Sequence, residues 1–210
     1  MNSLVENIAK SSITSVFTAR DLYNIGMKKE HMNEMLREAI LRQDIIHIKD
    51  GIYTLGKMLR KELITEEVLA QKLVPDSYVS MEFVLSQVSW IPEGVYVVTC
   101  VTNGKNKDID TKFGYYEYVY IPQKVYKAGV KRYVEGINEY YKATPLKALA
   151  DIICERKYNW TTLEPLYKSF RIEYDDLETL TAKDFDELHE TYGVLNVENF
   201  LCGIRKELNL

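Results

Sequence analysis

Residues 47–56 read "HIKDGIYTLG", and this stretch decides what the first sixty residues build. Ile46 and Ile48 alternate with His47 and Lys49, and Asp50-Gly51 supplies two residues able to take the positive φ of a type I′ turn. "IYTL" then carries the chain back, so the spacing predicts a tight hairpin. Toward the N-terminus, a helix from Lys28 to Arg42 sets Met32, Met35, Leu36, Ala39 and Ile40 at the i, i+3, i+4, i+7, i+8 spacing of one buried stripe. Thr18 with Asp21 starts "TARDLYNI", which Gly26 ends. Ser3 with Glu6 is a capping box for a first short helix whose apolar face is Leu4, Val5 and Ile8. Two helices joined by "GM" and followed by a ribbon have the order of a winged helix-turn-helix.

In that geometry the third helix enters the major groove and the ribbon tip lies near the phosphates. The expected DNA contacts are Arg20, Lys28, Lys29, Asn33, Arg37 and Lys49. Glu30, Glu34 and Glu38 form a stripe on the same helix that repels phosphate. A carboxylate in the major groove can accept from the cytosine amino group, whereas the plain reading of such a stripe is a solvated face. The plain reading of the hairpin is a small αβ domain that merely ends in one.

The chain has 210 residues, 46% hydrophobic and 28% charged, enough for one large or two small domains with a real core. Residues 1–60 hold nine Lys/Arg against seven Asp/Glu, a net +2, which leaves 18 against 24, a net −6, in residues 61–210. A mildly basic head on an acidic body suits a nucleic-acid reader joined to a protein-binding domain. We place the boundary near residues 57–64, giving domains 1–60 and 61–210. The N-terminus lacks a basic n-region followed by an apolar run, and no segment approaches the roughly 18 apolar residues that span a bilayer. A cytoplasmic protein without membrane contact is expected. Cys100, Cys154 and Cys202 are odd in number and far apart, so neither a disulfide framework nor a metal site is indicated.

The body reads as mixed α/β, making the whole chain α+β. "TEEVLAQKLVP" is a helix capped by Thr65 and stopped at Pro75, and Ser80 precedes a second short helix before Pro92. "GVYVVTCVTN" is a strand buried on both faces. "KDIDTKFGYYEYVYIP" gives two strands around Phe113-Gly114, with Tyr116, Tyr118 and Tyr120 on one face of the second. Those tyrosines suit either a protein interface or a half-wet sheet. Residues 123–142 fit helix or hairpin equally. "ATPLKALADIICER" has Thr144 as N-cap, Pro145 at N1 and Leu146, Leu149, Ala150 and Ile153 facing inward, with Asp151 expected exposed or capping a neighbour. The last forty residues are expected to be helical and hold ten acidic against four basic side chains.

The order of wing, Ser-x-Glu helix, strand "VYVVTCVT", hairpin "FGYYEY" and helix "ATPLKALADI" resembles the AbiEi-type antitoxins of type IV toxin-antitoxin (abortive infection) systems, over roughly residues 12–155. The resemblance implies an N-terminal repressor domain acting on operator DNA of its own operon. It also implies a C-terminal domain that counteracts a nucleotidyltransferase toxin, functionally and without a required stable complex. In the antitoxin domain it carries over Ser80, Glu82, Lys147 and Asp151, and no cofactor or metal. Phe83, Val84 and the acidic stripe depart from the family pattern.

Two other classes compete. Asp108, Asp110 and Lys112, with Glu93 or Glu117, have residue types that hold Mg²⁺ in nucleases, but they precede a turn where that chemistry needs a buried strand. His31, His47 and His189 stand near no serine or cysteine at useful spacing. A stand-alone regulator is the third reading. We expect no catalysis.

Overall fold

The Thr18 hydroxyl accepts from the Asp21 amide while the Asp21 carboxylate accepts from the Thr18 amide, a reciprocal cap that fixes where one helix of the N-terminal region begins. A computed structural model describes residues 3–11, 14–26, 29–60 and 62–210, the side chains of Ser3, Lys29 and Glu30 excepted. The order is α1 (Ser3–Lys10), β1 (Val16–Thr18), α2 (Ala19–Asn24), α3 (Lys29–Leu41), β2 (Ile45–Lys49) and β3 (Ile52–Leu55). Leu4, Val5, Ile8, Leu22, Met32, Leu36 and Ala39 from the helices close one core with Phe17, Ile45 and Leu55 from the strands.

Asp50 and Gly51 both take positive φ, 38° and 78°, as a type I′ turn requires. The strand before them is not a simple alternation. Ile45 and Ile48 are buried while Ile46 is only half-buried, because a bulge between His47 and Lys49 shifts the register by one residue. β1 was not expected. It pairs Val16 with Thr54 and Phe17 with Tyr53, making a three-stranded antiparallel sheet of order β1-β3-β2, and three residues are too few to show a period.

The chain divides into two compact units, and the residue 60/61 boundary falls inside the first of them. That unit comprises Met1–Pro75 with Thr111–Phe113 and Tyr133–Tyr140. It includes α4 (Glu66–Leu73), whose first turn is capped by Thr65. Asn138 ties Tyr133–Tyr140 to the rest of this unit: its side chain accepts from the Ser15 amide and donates to Glu62 at 2.6 Å.

The remaining strands are β4 (Ser77–Val79), β5 (Val97–Thr102), β6 (Lys107–Thr111), β7 (Gly114–Tyr120), β8 (Val130–Glu135) and β9 (Asn138–Ala143), in one sheet of order β6-β7-β5-β4-β9-β8. Residues 123–142 therefore include a hairpin, not a helix. β5 runs parallel to β7 and antiparallel to β4. α5 (Met81–Gln87) and α6 (Pro145–Glu155) pack on each other, and α7 (Tyr174–Leu177), α8 (Ala182–Leu188) and α9 (Leu195–Glu207) make the last forty residues largely helical, as expected. Thr144 caps α6 by accepting from the Lys147 amide. The class is α+β. Among the described residues no helix is long and apolar enough to cross a membrane.

α9 carries a glycine in mid-helix, where alanine would ordinarily gain about 1 kcal/mol. A Cβ at Gly203 would overlap the Thr161 carbonyl, a backbone group that cannot rotate away. Overpacking of this kind costs about 1–3 kcal/mol, so the clash cancels or outweighs the propensity gain. Gly203→Ala is expected to lower the urea midpoint of the second unit, as read by tryptophan fluorescence.

Candidate functional site

Of the expected DNA contacts, Arg20 is exposed in the first turn of α2, and Asn33 and Arg37 are exposed one turn apart on α3. Lys49 is half-buried beside the Asp50-Gly51 turn. Lys28 lies outside the described residues, as do the side chains of Lys29 and Glu30. Glu34 and Glu38 are exposed, and Glu38 is spanned by Arg42 at 3.6 Å.

The second unit holds a different arrangement. Ser80, Lys147 and Asp151 converge, all three wholly buried. Asp151 is thus neither exposed nor capping, a correction to the sequence reading: α6 is enclosed on every side, with Lys147, Ala148, Asp151 and Ile152 as buried as the apolar stripe. Asp151 accepts from Ser80 Oγ at 2.6 Å, Tyr192 OH at 2.6 Å and Tyr78 OH at 3.1 Å, and pairs with Lys147 Nζ at 3.2 Å. Lys147 Nζ also donates to Gln123 Oε1 at 2.6 Å and Tyr192 OH at 2.9 Å, and Gln123 Nε2 closes the circuit by donating to Tyr78 OH at 2.8 Å. The ammonium sits 4.2 Å from the Tyr192 ring centroid and 5.4 Å from that of Tyr78. Three acceptors match its three protons.

Electrostatics agree with that geometry. Burial pulls the Lys147 pKa down and the Asp151 carboxylate pushes it back, while burial and then Asp151 hold the Tyr78 and Tyr192 phenols well above their ordinary value. The site stays paired because every member would be costly alone.

Ser80 occupies the N-cap of α5 without capping it. Its hydroxyl is committed to Asp151, its amide donates to the Thr99 carbonyl at 3.0 Å, and the Thr99 hydroxyl donates to its carbonyl at 2.8 Å. Met81 absorbs the resulting bend at φ 59°, a region unfavourable for a bulky side chain. Sequence reasoning missed Tyr78, Gln123 and Tyr192. The available signal was the helix itself, where Lys147 and Asp151 stand at i, i+4 in an otherwise apolar run.

Glu82 lies apart, part-exposed and ion-paired with Arg156. Glu117 on β7 is near it, and burial, then Asp108, Glu155 and Glu82, raise its carboxyl above the usual range while Arg156 opposes them. Asp108 and Asp110 are exposed on strand β6 at the edge of the sheet, ahead of the turn, with buried Ile109 between them, and Lys112 follows in the exposed turn. Glu93 is ion-paired with Arg171. Among the described residues no three His, Cys, Asp or Glu side chains gather where they could hold a metal ion. His31 is exposed on α3, His47 is exposed on β2 with its ring 5.2 Å from that of Tyr53, and His189 is exposed 3.7 Å from Glu198. Cys100 is buried, Cys202 is exposed, and burial pushes the half-buried Cys154 thiol up to about 11.

The tyrosine row splits. Tyr116 and Tyr118 are fully buried and belong to the core, whereas Tyr120 is 51% exposed. No family model matches the chain, and no curated protein matches it in sequence.

Proposed function

We propose that the chain is a type IV antitoxin that represses its own operon through an N-terminal winged helix-turn-helix and counteracts a nucleotidyltransferase toxin through its second unit. The observation that carries the DNA-binding half is the order α1-β1-α2-α3-β2-β3, with Asn33 and Arg37 exposed on α3 and Lys49 beside the hairpin turn. The antitoxin half rests on the resemblance of the "YVSMEF" to "ATPLKALADI" region. Ser80, Lys147 and Asp151 are sealed from solvent, so in this reading they hold the antitoxic surface in shape and do not touch the partner. Glu82, which is part-exposed, is the carried-over residue able to meet one. The reading assigns the chain no catalytic step and places it in the cytoplasm. Asp108 and Asp110 are solvent-facing carboxylates on an edge strand, which suits protection against edge pairing.

The test uses the full chain, because a cut at residue 60 divides the first compact unit. A nucleotidyltransferase encoded beside the gene is expressed in host cells with and without the chain. Growth arrest is expected with the enzyme alone, and recovery with the wild type or with Lys49→Ala, whose defect lies in DNA binding. Arrest that persists with wild-type protein present in soluble form would remove the antitoxin assignment and leave a stand-alone regulator.

A further inference from the structure

We infer that Glu34 and Arg37 read G·C base pairs in the operator, the carboxylate accepting from the cytosine amino group and the guanidinium donating to guanine. The inference rests on the reading of α3 as the helix that enters the major groove. Met32, Leu36 and Ala39 are the buried residues of α3, and at 3.6 residues per turn Glu34 and Arg37 fall on the opposite side. Both are exposed.

Oppositely charged side chains at i, i+3 on a helix commonly pair with each other. Here neither residue has an ion pair or side-chain hydrogen bond among the described residues, whereas Glu38 on the same face is held by Arg42. Among the described side chains of that face, one carboxylate is therefore ion-paired, and one carboxylate and one guanidinium stand without such a partner. A free carboxylate facing DNA repels phosphate unless it meets a donor. In the major groove the cytosine N4 amino group is the donor that a guanine-reading arginine brings next to it, since arginine binds guanine O6 and N7 and the paired cytosine presents N4 on the same groove floor. Three residues of helix rise about 4.5 Å and successive base pairs about 3.4 Å, so the two side chains reach one G·C pair or two neighbouring ones. On this account the carboxylate lowers affinity for DNA in general and offsets that loss where an amino donor faces it, which beside a guanine read by Arg37 is cytosine N4, so the discrimination is by penalty.

The test is selection of duplexes from a random-core library by the full-length protein, followed by gel-shift titration of the selected duplex and of its single-base variants at fixed salt. Wild type is expected to select a site containing G·C pairs. Glu34→Gln is expected to bind unselected duplexes more tightly and to lose about 5- to 150-fold discrimination for cytosine at one position. Arg37→Gln is expected to lose guanine preference at the same or the adjacent pair. Both positions are exposed, and circular dichroism checks that each variant is folded. A wild type that selects no sequence overturns the DNA-binding reading itself. A wild type whose selected site is kept unchanged by Glu34→Gln, with every duplex bound more tightly by the same factor, overturns this inference alone.

Discussion

Asp151→Ala is expected to destabilise the second unit by about 3–5 kcal/mol. The loss strands the buried Lys147 ammonium and removes the shared acceptor of the Tyr78, Ser80 and Tyr192 hydroxyls. Lys147→Met is expected to cost less, about 1–3 kcal/mol, because the carboxylate it leaves behind keeps three hydroxyl donors and only Gln123 Oε1 and the Tyr192 oxygen lose one. Net charge gives no such ordering, since both substitutions remove one charge from the same ion pair; the asymmetry comes from counting partners. Both tryptophans, Trp90 and Trp160, lie in the second unit, so urea unfolding followed by their fluorescence reports that unit. Equal losses, or a larger loss for Lys147→Met, would contradict the network as described.

The second large effect concerns nucleic acid. Lys49→Ala is expected to weaken binding to every duplex alike and to reduce the slope of log affinity against log salt by about 1, the signature of one lost phosphate contact. Asn33→Ala is expected to act differently, relaxing preference at one base position by about 1–3 kcal/mol with the salt slope unchanged. Asn33 is exposed on α3 and Lys49 stands at the ribbon turn, which is why the two variants separate base reading from backbone positioning. Titrations at several salt concentrations, each with matched and single-mismatch duplexes, distinguish the two patterns. Wild-type affinity, base preference and salt slope in both variants would place α3 and the hairpin outside the interface.

Local rules carried far in the first sixty residues because each signal is local. A Thr-Asp cap, a glycine stop, a 3.6-residue stripe and an Asp-Gly turn are all complete within a few residues, and each has its counterpart in α2, α3 and the β2-β3 ribbon. The bulge at Ile48 was illegible because it depends on which isoleucines the core accepts, a property of the partner elements. The same limit explains Asp151. Seven residues into an amphipathic pattern a carboxylate belongs on the wet side by periodicity, and only packing on every side of α6, with Tyr78, Ser80 and Tyr192 brought from distant segments, makes burial tolerable. Residues 133–140 show the limit again, since membership of the first unit rests on Asn138 meeting Ser15 and Glu62, contacts separated by more than seventy residues of sequence.

The central claim is that this chain reads DNA sequence. The most direct measurement is a fluorescence-anisotropy titration of the full-length protein with labelled duplex from immediately upstream of its own gene, against a shuffled duplex of identical composition, repeated across salt concentrations. The account predicts binding to the upstream duplex at least about 10³-fold tighter than to the shuffled one, with log affinity falling linearly as log salt rises. Equal affinity for the two duplexes, or no saturable binding to either, would contradict it.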